Sequence, residues 1–316
     1  MIPVTILTGF LGAGKTTVLQ KILAGEHYGD SAVLINEFGE VGIDQQLVRP
    51  ISPNVVLLDS GCLCCQIRGE LKDALADLLH RRATGSVPPF RQIIIETTGL
   101  AEPTPIIATL QADPQLSHQL AAERTVTVVD AVNGEHMAES GQRVWLHQAA
   151  AADLILISKA DLAPQAAAAL AERLHRMLPG TPVLPLGLSS PLPDFNALPA
   201  TRHAAPPYRT THQHGSVQSL ALEIEDTIDW IAFGVWLSAL LHAHGNALLR
   251  VKGILHIGES YPVLINAVQH MVYPPQHLNQ LHEAPPHSQL VLIADGLDPA
   301  AIERSFRRWV LHSDTA

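Results

Sequence analysis

A phosphate-binding signature near the start of the chain constrains the fold more than any other feature of the sequence. Residues 9–17 read GFLGAGKTT, which matches the pattern G-x-x-x-x-G-K-S/T between an apolar run, Val4–Leu7, and a helical pattern, Lys15–Ala24. In such a loop, backbone amides surround the phosphates of a nucleotide and the helix N-terminus adds positive potential. We expect Lys15 to reach the β- and γ-phosphates and the Thr16 hydroxyl to ligate Mg²⁺. The residues expected to bind nucleotide here are Gly9, Gly12, Ala13, Gly14, Lys15, Thr16 and Thr17.

Short apolar runs alternate with helical patterns through the first half of the chain. The expected strands are Val4–Leu7, Ala32–Ile35, Val55–Leu58, Ile93–Ile95, Thr125–Val129 and Leu154–Ile157. The expected helices are Lys15–Ala24, Gly69–Arg81 and Gln165–Leu178. Because parallel strands need crossover connections, this alternation favours an α/β fold of the P-loop NTPase type, with a mostly parallel sheet flanked by helices.

The composition changes in the second half, where prolines cluster between residues 179 and 215 and favour irregular chain. We therefore predict a P-loop domain over residues 1–190, a proline-rich linker over 191–215 and a small α+β domain over 216–316. The strands expected in this last domain are Val217–Glu225, Leu248–Ile257, Val263–Val272 and Gln289–Ala294, and the expected helices are Trp230–Ala243 and Pro299–Val310.

The expected strand at Ile93–Ile95 ends in the sequence Glu96-Thr-Thr-Gly99. A carboxylate at this point is typical of the metal-side acid of P-loop NTPases, although Glu stands where Asp is more usual. We expect Glu96 to approach Mg²⁺, directly or through water, and the Gly99 N–H to sense a γ-phosphate. The alternative is an ordinary acid at the end of a strand.

The strand expected at Leu154–Ile157 continues into Ser158-Lys159-Ala-Asp161. A carboxylate here accepts from both N1–H and the 2-amino group of guanine, a pair of donors that adenine does not offer. We expect Asp161 to read guanine and the stem of Lys159 to pack over the base. Ser158 occupies the first position of this pattern, where Asn is more usual.

An acidic, glycine-bearing segment, residues 36–44 with the sequence NEFGEVGID, follows the second expected strand. This is the usual position of a switch loop, which γ-phosphate and Mg²⁺ order and hydrolysis releases. Glu37 or Asp44 is expected to position water or to approach a metal. A solvated acidic loop is the alternative interpretation.

The three cysteines of the chain, Cys62, Cys64 and Cys65, lie within four residues of one another. An odd and clustered set excludes a disulfide framework and favours a reducing, cytoplasmic location. The net charge of −10 argues against nucleic-acid and anionic-membrane partners. The apolar helical stretch Trp230–Leu241 is shorter than the roughly 20 residues that a bilayer requires.

Thiolates are soft ligands, so this cysteine cluster favours a soft or borderline metal such as zinc. Three sulfurs are one ligand short of a closed tetrahedral zinc site. The fourth position is open to water, Glu37, a histidine or a ligand from another protein, an arrangement that suits metal exchange. Buried inert cysteines and a redox switch are the alternatives.

Taken together, the segments GFLGAGKTT, NEFGEVGID, GCLCC, IIIETTGLAEP and SKAD resemble the CobW family of P-loop GTPases, the metallochaperone group of the SIMIBI class. The segment Arg250–Ile254 is similar to part of the CobW C-terminal domain. The resemblance implies a GTPase that carries zinc or cobalt on the three cysteines, with Glu37 as an auxiliary ligand, and transfers it to a client metalloprotein. It also implies a homodimer that depends on metal or nucleotide. The residues assigned to catalysis are Lys15, Thr16, Asp44 and Glu96.

The mechanism expected from this resemblance is that GTP and Mg²⁺ order residues 36–44 and 96–103. The cysteine cluster lies between these two segments in sequence, so their ordering should draw the thiols together. Three other functions stay open: a cobalt chaperone for cobalamin synthesis or a cobalt enzyme, a zinc-sensing regulator that docks partners without transferring metal, and a P-loop kinase.

Overall fold

The chain divides into two structural units, of which the first comprises Met1–Ala171 with Pro182–Thr201 and the second Glu172–Thr181 with Arg202–Ala316. The computed structural model describes residues 1–25, 28–35, 56–59, 67–193, 210–214, 217–279 and 285–311. The boundaries of the linker and of the two sequence-defined domains stay a prediction.

A parallel sheet organises the first unit. Its seven described strands are β1 (Ile2–Thr8), β2 (Ser31–Ile35), β3 (Val56–Asp59), β4 (Gln92–Glu96), β5 (Leu120–Asp130), β6 (Leu154–Ser158) and β7 (Val183–Pro185). They lie in the order β3-β2-β4-β1-β5-β6-β7, and each neighbouring pair is parallel. Because β1 lies between β4 and β5, the loop that follows β1 is flanked by the carboxyl ends of both neighbours. The predicted α/β fold with a mostly parallel sheet is confirmed.

Helices connect these strands. They are α1 (Lys15–Ala24), α2 (Ile67–Ala83), α3 (Thr104–Ala112), α4 (Pro114–Ser117), α5 (Gly134–Ser140), α6 (Arg143–Ala150) and α7 (Pro164–Met177). Helix α1 has its predicted bounds, and it buries Val18, Leu19, Ile22 and Leu23 in a core shared with β1, β5 and β6. Helices α3 to α6 were not predicted, because helices of four to nine residues depend on tertiary packing more than on intrinsic propensity.

An antiparallel sheet organises the second unit. Its described strands are β8 (Thr210–His214), β9 (Val217–Ile224), β10 (Leu248–Leu255), β11 (Val263–Val268), β12 (Met271–Val272), β13 (Gln276–His277) and β14 (Ser288–Asp295). The order is β12-β11-β10-β14-β9-β8, and β13 pairs with β11. A single strand over Val263–Val272 is wrong, because the chain reverses at Gln269, which has φ 52°, so that Val268 pairs with Met271. Strand β8 lies within residues 191–215.

Two helices, α8 (Trp230–His244) and α9 (Pro299–Val310), complete the second unit and match the predicted helices closely. Trp236 of α8 meets Phe306 of α9 edge to face with ring centroids 5.1 Å apart, and its indole N–H donates to Ser305 at 3.0 Å. This contact buries apolar surface while it satisfies the indole donor. None of the helices in the described ranges is both long and apolar enough to cross a membrane.

Candidate nucleotide-binding site

The loop between β1 and α1 requires glycine at Gly9 and favours it at Gly14. Gly9 has φ 146°, and a Cβ atom there would lie 2.2 Å from the carbonyl oxygen of Val128 in β5. Gly14 has φ 87° and forms the N-cap of α1 without a side-chain cap among the described residues. The first amides of α1 are thereby directed toward the site of a bound anion.

Two oxygen atoms meet directly beneath this loop. The Thr16 hydroxyl donates to Glu96 Oε1 at 2.9 Å, and the Glu96 side chain is buried at the carboxyl end of β4. The parallel register places Glu96 beside Leu7 in β1, one residue before the end of that strand. A hydroxyl and a carboxylate are hard oxygen ligands, so this donor set fits Mg²⁺. The Lys15 ammonium donates to the Phe10 carbonyl at 3.2 Å, and its side chain therefore folds back over the loop.

The segment that follows β4 packs against the same loop. The Thr97 amide donates to the Leu7 carbonyl at 2.9 Å, and the Thr97 hydroxyl donates to the Thr8 hydroxyl at 2.9 Å. A Cβ atom on Gly99 would lie 2.7 Å from both N and Cα of Leu11. Because main-chain atoms cannot move aside as a side chain would, position 99 requires glycine. Gly99 therefore packs directly against the phosphate loop, and its expected contact with a γ-phosphate stays a prediction.

The Ser-Lys-x-Asp segment braces the far side of the loop. The Ser158 hydroxyl lies 2.6 Å from the Ala13 carbonyl oxygen, to which it donates. Lys159 adopts φ 57° and donates to the Gly12 carbonyl at 3.0 Å and to Asp130 Oδ2 at 2.7 Å. Serine in place of the more usual asparagine therefore still connects the end of β6 to the phosphate loop.

Asp130, which the sequence analysis did not select, is the ionic partner of Lys159. Burial works to raise the pKa of this carboxyl, but hydrogen bonds from Lys159, the Val132 amide and the Asn133 side chain hold the pKa below its ordinary value. The residue therefore carries a negative charge at neutral pH. Its position at the carboxyl end of β5, between the ends of β1 and β6 that also form the site, was the signal that would have identified it.

A cavity of about 230 Å³ opens between α1, the end of β6 and the segment after β7. Its lining includes Gly14, Thr17, Lys159 and Asp161, as well as Gly187. Asp161 accepts from the Leu188 amide at 3.1 Å with Oδ2. The cavity therefore adjoins the phosphate loop and has a carboxylate in its wall.

Lys21, a second residue that the sequence analysis missed, holds the outer wall of this cavity. Its ammonium donates to the carbonyl oxygens of Gly187 at 2.8 Å and Ser190 at 3.0 Å. A Cβ atom on Gly187 would lie 3.2 Å from the Cβ atom of Asp161, so glycine allows the wall to approach the carboxylate closely. No local pattern connects Lys21 with residues about 170 positions later, and only the fold brings them together.

Five predicted site residues lie outside the described residues: Glu37, Asp44, Cys62, Cys64 and Cys65. The described chain on either side of the cysteines ends at Asp59 of β3 and begins again at Ile67 of α2. Asp59 pairs with Ile35 of β2, and Ile35 pairs with Glu96 of β4. The chain therefore leaves β3 at the same edge of the sheet as Glu96. Within the described ranges, no three His, Cys, Asp or Glu side chains form a metal-binding group.

Two family models match the chain. The model described as "CobW/HypB/UreG, nucleotide-binding domain" matches residues 3–185, and the model described as "Cobalamin synthesis protein cobW C-terminal domain" matches residues 217–310. The two models therefore match the two parts of the chain that the sequence resemblance indicates, the nucleotide-binding domain first and the C-terminal domain second.

Curated relatives and a solved structure agree with these models. The chain is 34% identical to the zinc chaperone YjiA of Escherichia coli, over 96% of this chain and 98% of the relative. It is 30% identical to the zinc chaperone CobW of Pseudomonas aeruginosa, over 97% and 91%. The crystal structure of Zn(II)-bound YjiA GTPase from E. coli superposes with a TM-score of 0.72 at 30% identity and covers 98% of both chains. The chain therefore belongs to the CobW/HypB/UreG family of P-loop GTPases.

Proposed function

We propose that this protein is a metallochaperone that binds zinc at Cys62, Cys64 and Cys65, hydrolyses GTP and transfers the metal to a client metalloprotein. The observation that carries the proposal is the convergence of strand ends at one edge of the parallel sheet. The phosphate loop, Glu96 and the Ser158–Asp161 segment meet there, and the chain leaves β3 toward the cysteines at the same edge. The names of the full-length relatives, zinc chaperones, support zinc as the cargo.

The nucleotide is held from both ends in this proposal. At the phosphate end, the loop amides and Lys15 bind the phosphates, while Thr16 and Glu96 would hold Mg²⁺, which would supply positive charge to the phosphate oxygens. At the base end, Asp161 accepts from two donors of guanine, and Lys159 packs its stem over the ring. Since Ser158 and Lys159 also bond to the carbonyls of Ala13 and Gly12, base and phosphate ends are positioned as one unit.

Hydrolysis requires that a water molecule attack the γ-phosphorus in line with the leaving oxygen. We assign the orientation of this water to Asp44 and the detection of the γ-phosphate to the Gly99 N–H. The close approach of Gly99 to Leu11 supports the second assignment. No glutamine follows Gly99, whose neighbours are Leu100, Ala101 and Glu102, so we expect slow turnover that metal or client accelerates.

Zinc affinity is coupled to the nucleotide state because the cysteines lie in sequence between residues 36–44 and 96–103, the two segments that GTP and Mg²⁺ order. GTP draws the three thiolates together, and hydrolysis releases them so that the client captures the metal. Glu37 supplies a fourth ligand in the loaded state. Thiolate sites accept zinc and cobalt in similar geometry, so cobalt competes for the same ligands. Free thiolates require a reducing compartment, which supports the cytoplasm.

The test is a zinc titration against a competing chromogenic chelator, with Mg²⁺ and either a non-hydrolysable GTP analogue or GDP. Allosteric coupling energies typically correspond to about 5- to 150-fold in affinity, and we expect zinc to bind more tightly with the GTP analogue by a factor in this range. By reciprocity, zinc must tighten binding of the GTP analogue by the same factor. Equal zinc affinities in the two nucleotide states would contradict the coupling.

Variants separate the two sites. Cys64→Ala should lose zinc binding and keep nucleotide binding, whereas Lys15→Ala should lose nucleotide binding and keep zinc binding in the absence of nucleotide. Ser60→Ala, a change next to the same motif that removes no thiol, is the matched control and should retain both. Transfer is then measured with a purified apo-metalloenzyme that the GTP-bound chain captures under zinc limitation. Docking without activation would identify a zinc-sensing regulator instead.

A further inference from the structure

Two neighbouring side chains of α6 hold the segment that follows β4. Gln148 Nε2 donates to the carbonyl oxygens of Gly99 at 3.2 Å and Ala101 at 2.9 Å. His147 Nδ1 lies 3.1 Å from Glu102 Oε1, and both His147 and Gln148 are buried. Helix α6 therefore holds three of the four residues from 99 to 102, through the main chain at Gly99 and Ala101 and through the side chain at Glu102.

Residue 99 is confined on two sides. Its Cα faces the main chain of Leu11 in the phosphate loop so closely that no Cβ fits, and its carbonyl oxygen accepts from Gln148. The Gln148 amide therefore orients the peptide plane between residues 99 and 100, whereas the Gly99 N–H belongs to the plane between residues 98 and 99. That second plane is oriented by the Thr98 carbonyl oxygen, which accepts from the Ala101 amide at 3.1 Å. Because Gln148 also holds the Ala101 carbonyl oxygen, it fixes the turn from Thr98 to Ala101 that sets the direction of the Gly99 N–H.

Burial of the Gln148 amide lowers the stability of the fold, so its presence calls for a role in positioning residues 99–101. The side chain is fully buried, and its Oε1 atom has no hydrogen-bond partner among the described residues. An unsatisfied buried acceptor destabilises a fold, whereas an apolar side chain of the same shape would avoid that penalty. The amide is thus explained by its two donated bonds to the Gly99–Ala101 segment rather than by the stability of the core.

We propose that Gln148, assisted by His147, is a positioning residue that orients the Gly99 N–H for the γ-phosphate and so makes the protein distinguish GTP from GDP. Three residues connect helix α6 to β6, which ends at Ser158 beside the phosphate loop and is followed by Lys159. One stretch of chain therefore contacts both the γ-phosphate segment and the base-side brace. The inference rests on the proposed nucleotide site and is independent of the metal.

The experiment compares the affinities of the full chain for a non-hydrolysable GTP analogue and for GDP, both with Mg²⁺. Gln148→Met keeps the length and flexibility of the side chain and removes both donors. We expect affinity for the GTP analogue to fall about tenfold, which corresponds to about 1.4 kcal/mol, and affinity for GDP to change less than about twofold. Equal losses for both nucleotides, or an unchanged ratio, would overturn the proposal.

The matched control is Thr127→Val. The Thr127 hydroxyl donates to the Gln148 main-chain carbonyl at 2.7 Å, so this nearly isosteric change weakens the anchoring of α6 and leaves the Gln148 amide intact. We expect a lower unfolding temperature with an unchanged ratio of GTP-analogue to GDP affinity. A ratio that falls as far as in Gln148→Met would assign the effect to general loosening of α6 and overturn the proposal.

A second variant avoids the core. Glu102 is one-third exposed, so Glu102→Ala removes the carboxylate that lies 3.1 Å from His147 Nδ1 without leaving a buried cavity. We expect the ratio of GTP-analogue affinity to GDP affinity to fall about threefold. This is less than for Gln148→Met, because the two hydrogen bonds from the Gln148 amide remain. An unchanged ratio would show that His147 does not contribute. If the unaltered chain bound neither nucleotide, the proposed nucleotide site itself would be wrong. If the unaltered chain preferred the GTP analogue and the substituted chains kept that preference, only the role of Gln148 and His147 would be wrong.

Discussion

Replacing Asp130 by asparagine tests whether one buried carboxylate holds the base-side lysine in place. The carboxylate accepts from the Lys159 ammonium at 2.7 Å, from the Val132 amide at 2.8 Å and from Asn133 Nδ2 at 2.8 Å. Asparagine is nearly the same shape and still offers one carbonyl oxygen, so the change removes charge and acceptor capacity without opening a cavity. Lys159 keeps its bond to the Gly12 carbonyl but loses its ionic partner.

The magnitude follows from the type of bond that is lost. A hydrogen bond to a charged group contributes about 1.5–3 kcal/mol, against about 0.5–1.5 kcal/mol for a neutral one. Asp130 is 9% exposed and Lys159 35% exposed, so solvent screens the pair only in part. We therefore expect Asp130→Asn to lower the free energy of unfolding by about 1–2 kcal/mol at pH 7.

The pH dependence of this difference identifies its cause. The pKa of Asp130 is lower in the folded protein than the ordinary value of about 3.9 that applies to the unfolded chain. Its contribution is therefore fully present above that ordinary value and is lost as the pH falls through the folded pKa. The gap in stability between the original chain and Asp130→Asn should be constant from pH 7 to about pH 5 and shrink below about pH 4.

The assay is urea unfolding at several pH values, paired with titrations of GDP and of a GTP analogue at pH 7. Because Lys159 is proposed to pack over the base, which GDP and GTP share, we expect Asp130→Asn to weaken binding of both nucleotides by the same factor. Asn133→Ala is the matched control, since it removes a neutral donor to the same carboxylate and should cost no more than about 1 kcal/mol. A stability gap that persists unchanged below pH 4, or a selective loss of the GTP analogue, would refute the reasoning.

Three further substitutions test other parts of the site. Asp161→Asn should shift nucleotide preference from guanine toward xanthine, measured by competition between GDP and xanthosine diphosphate; retained guanine selectivity would exclude Asp161 as the base reader. Lys21→Met should weaken GDP and the GTP analogue equally, by about three- to tenfold, because it releases Gly187 and Ser190 from the cavity wall; unchanged affinities would show that the wall is held by other contacts. Gly99→Ala should cost about 1–3 kcal/mol in binding of the GTP analogue, because its Cβ would lie 2.7 Å from the Leu11 main chain; an unaffected affinity would mean that residue 99 does not meet the γ-phosphate.

Local sequence patterns were sufficient to predict the helix and the strands that form the phosphate site. The helix Lys15–Ala24 has its predicted bounds because four buried side chains at helical spacing follow the glycine loop directly. Glu96, Ser158 and Lys159 lie at strand ends, as their position after buried apolar runs predicts. The short helices and the three-residue strand Val183–Pro185 were missed because segments of this length carry too few residues for a periodic signal.

The residues that the sequence analysis missed share one property, which is that their partners are distant in the chain. Lys21 bonds to residues 187 and 190, Asp130 to Lys159, and Gln148 to residues 99 and 101. None of these residues belongs to a motif, because a motif records neighbours in sequence. Each contact depends instead on the order of the strands in the sheet and on which loops and helices lie next to one another at the carboxyl ends of the strands.

The sequence by itself determined the P-loop α/β class, the family and the chemical types present: a phosphate loop, a carboxylate after the sixth strand and three clustered thiols. These features are local, since backbone conformation and ligand chemistry depend on adjacent residues. Only the tertiary structure decided which groups brace the site, because hydrogen bonds act over about 3 Å and require the fold to bring distant segments within that reach. The amide of Gln148 is the clearest example, since its role depends on residues that lie 47 and 49 positions away.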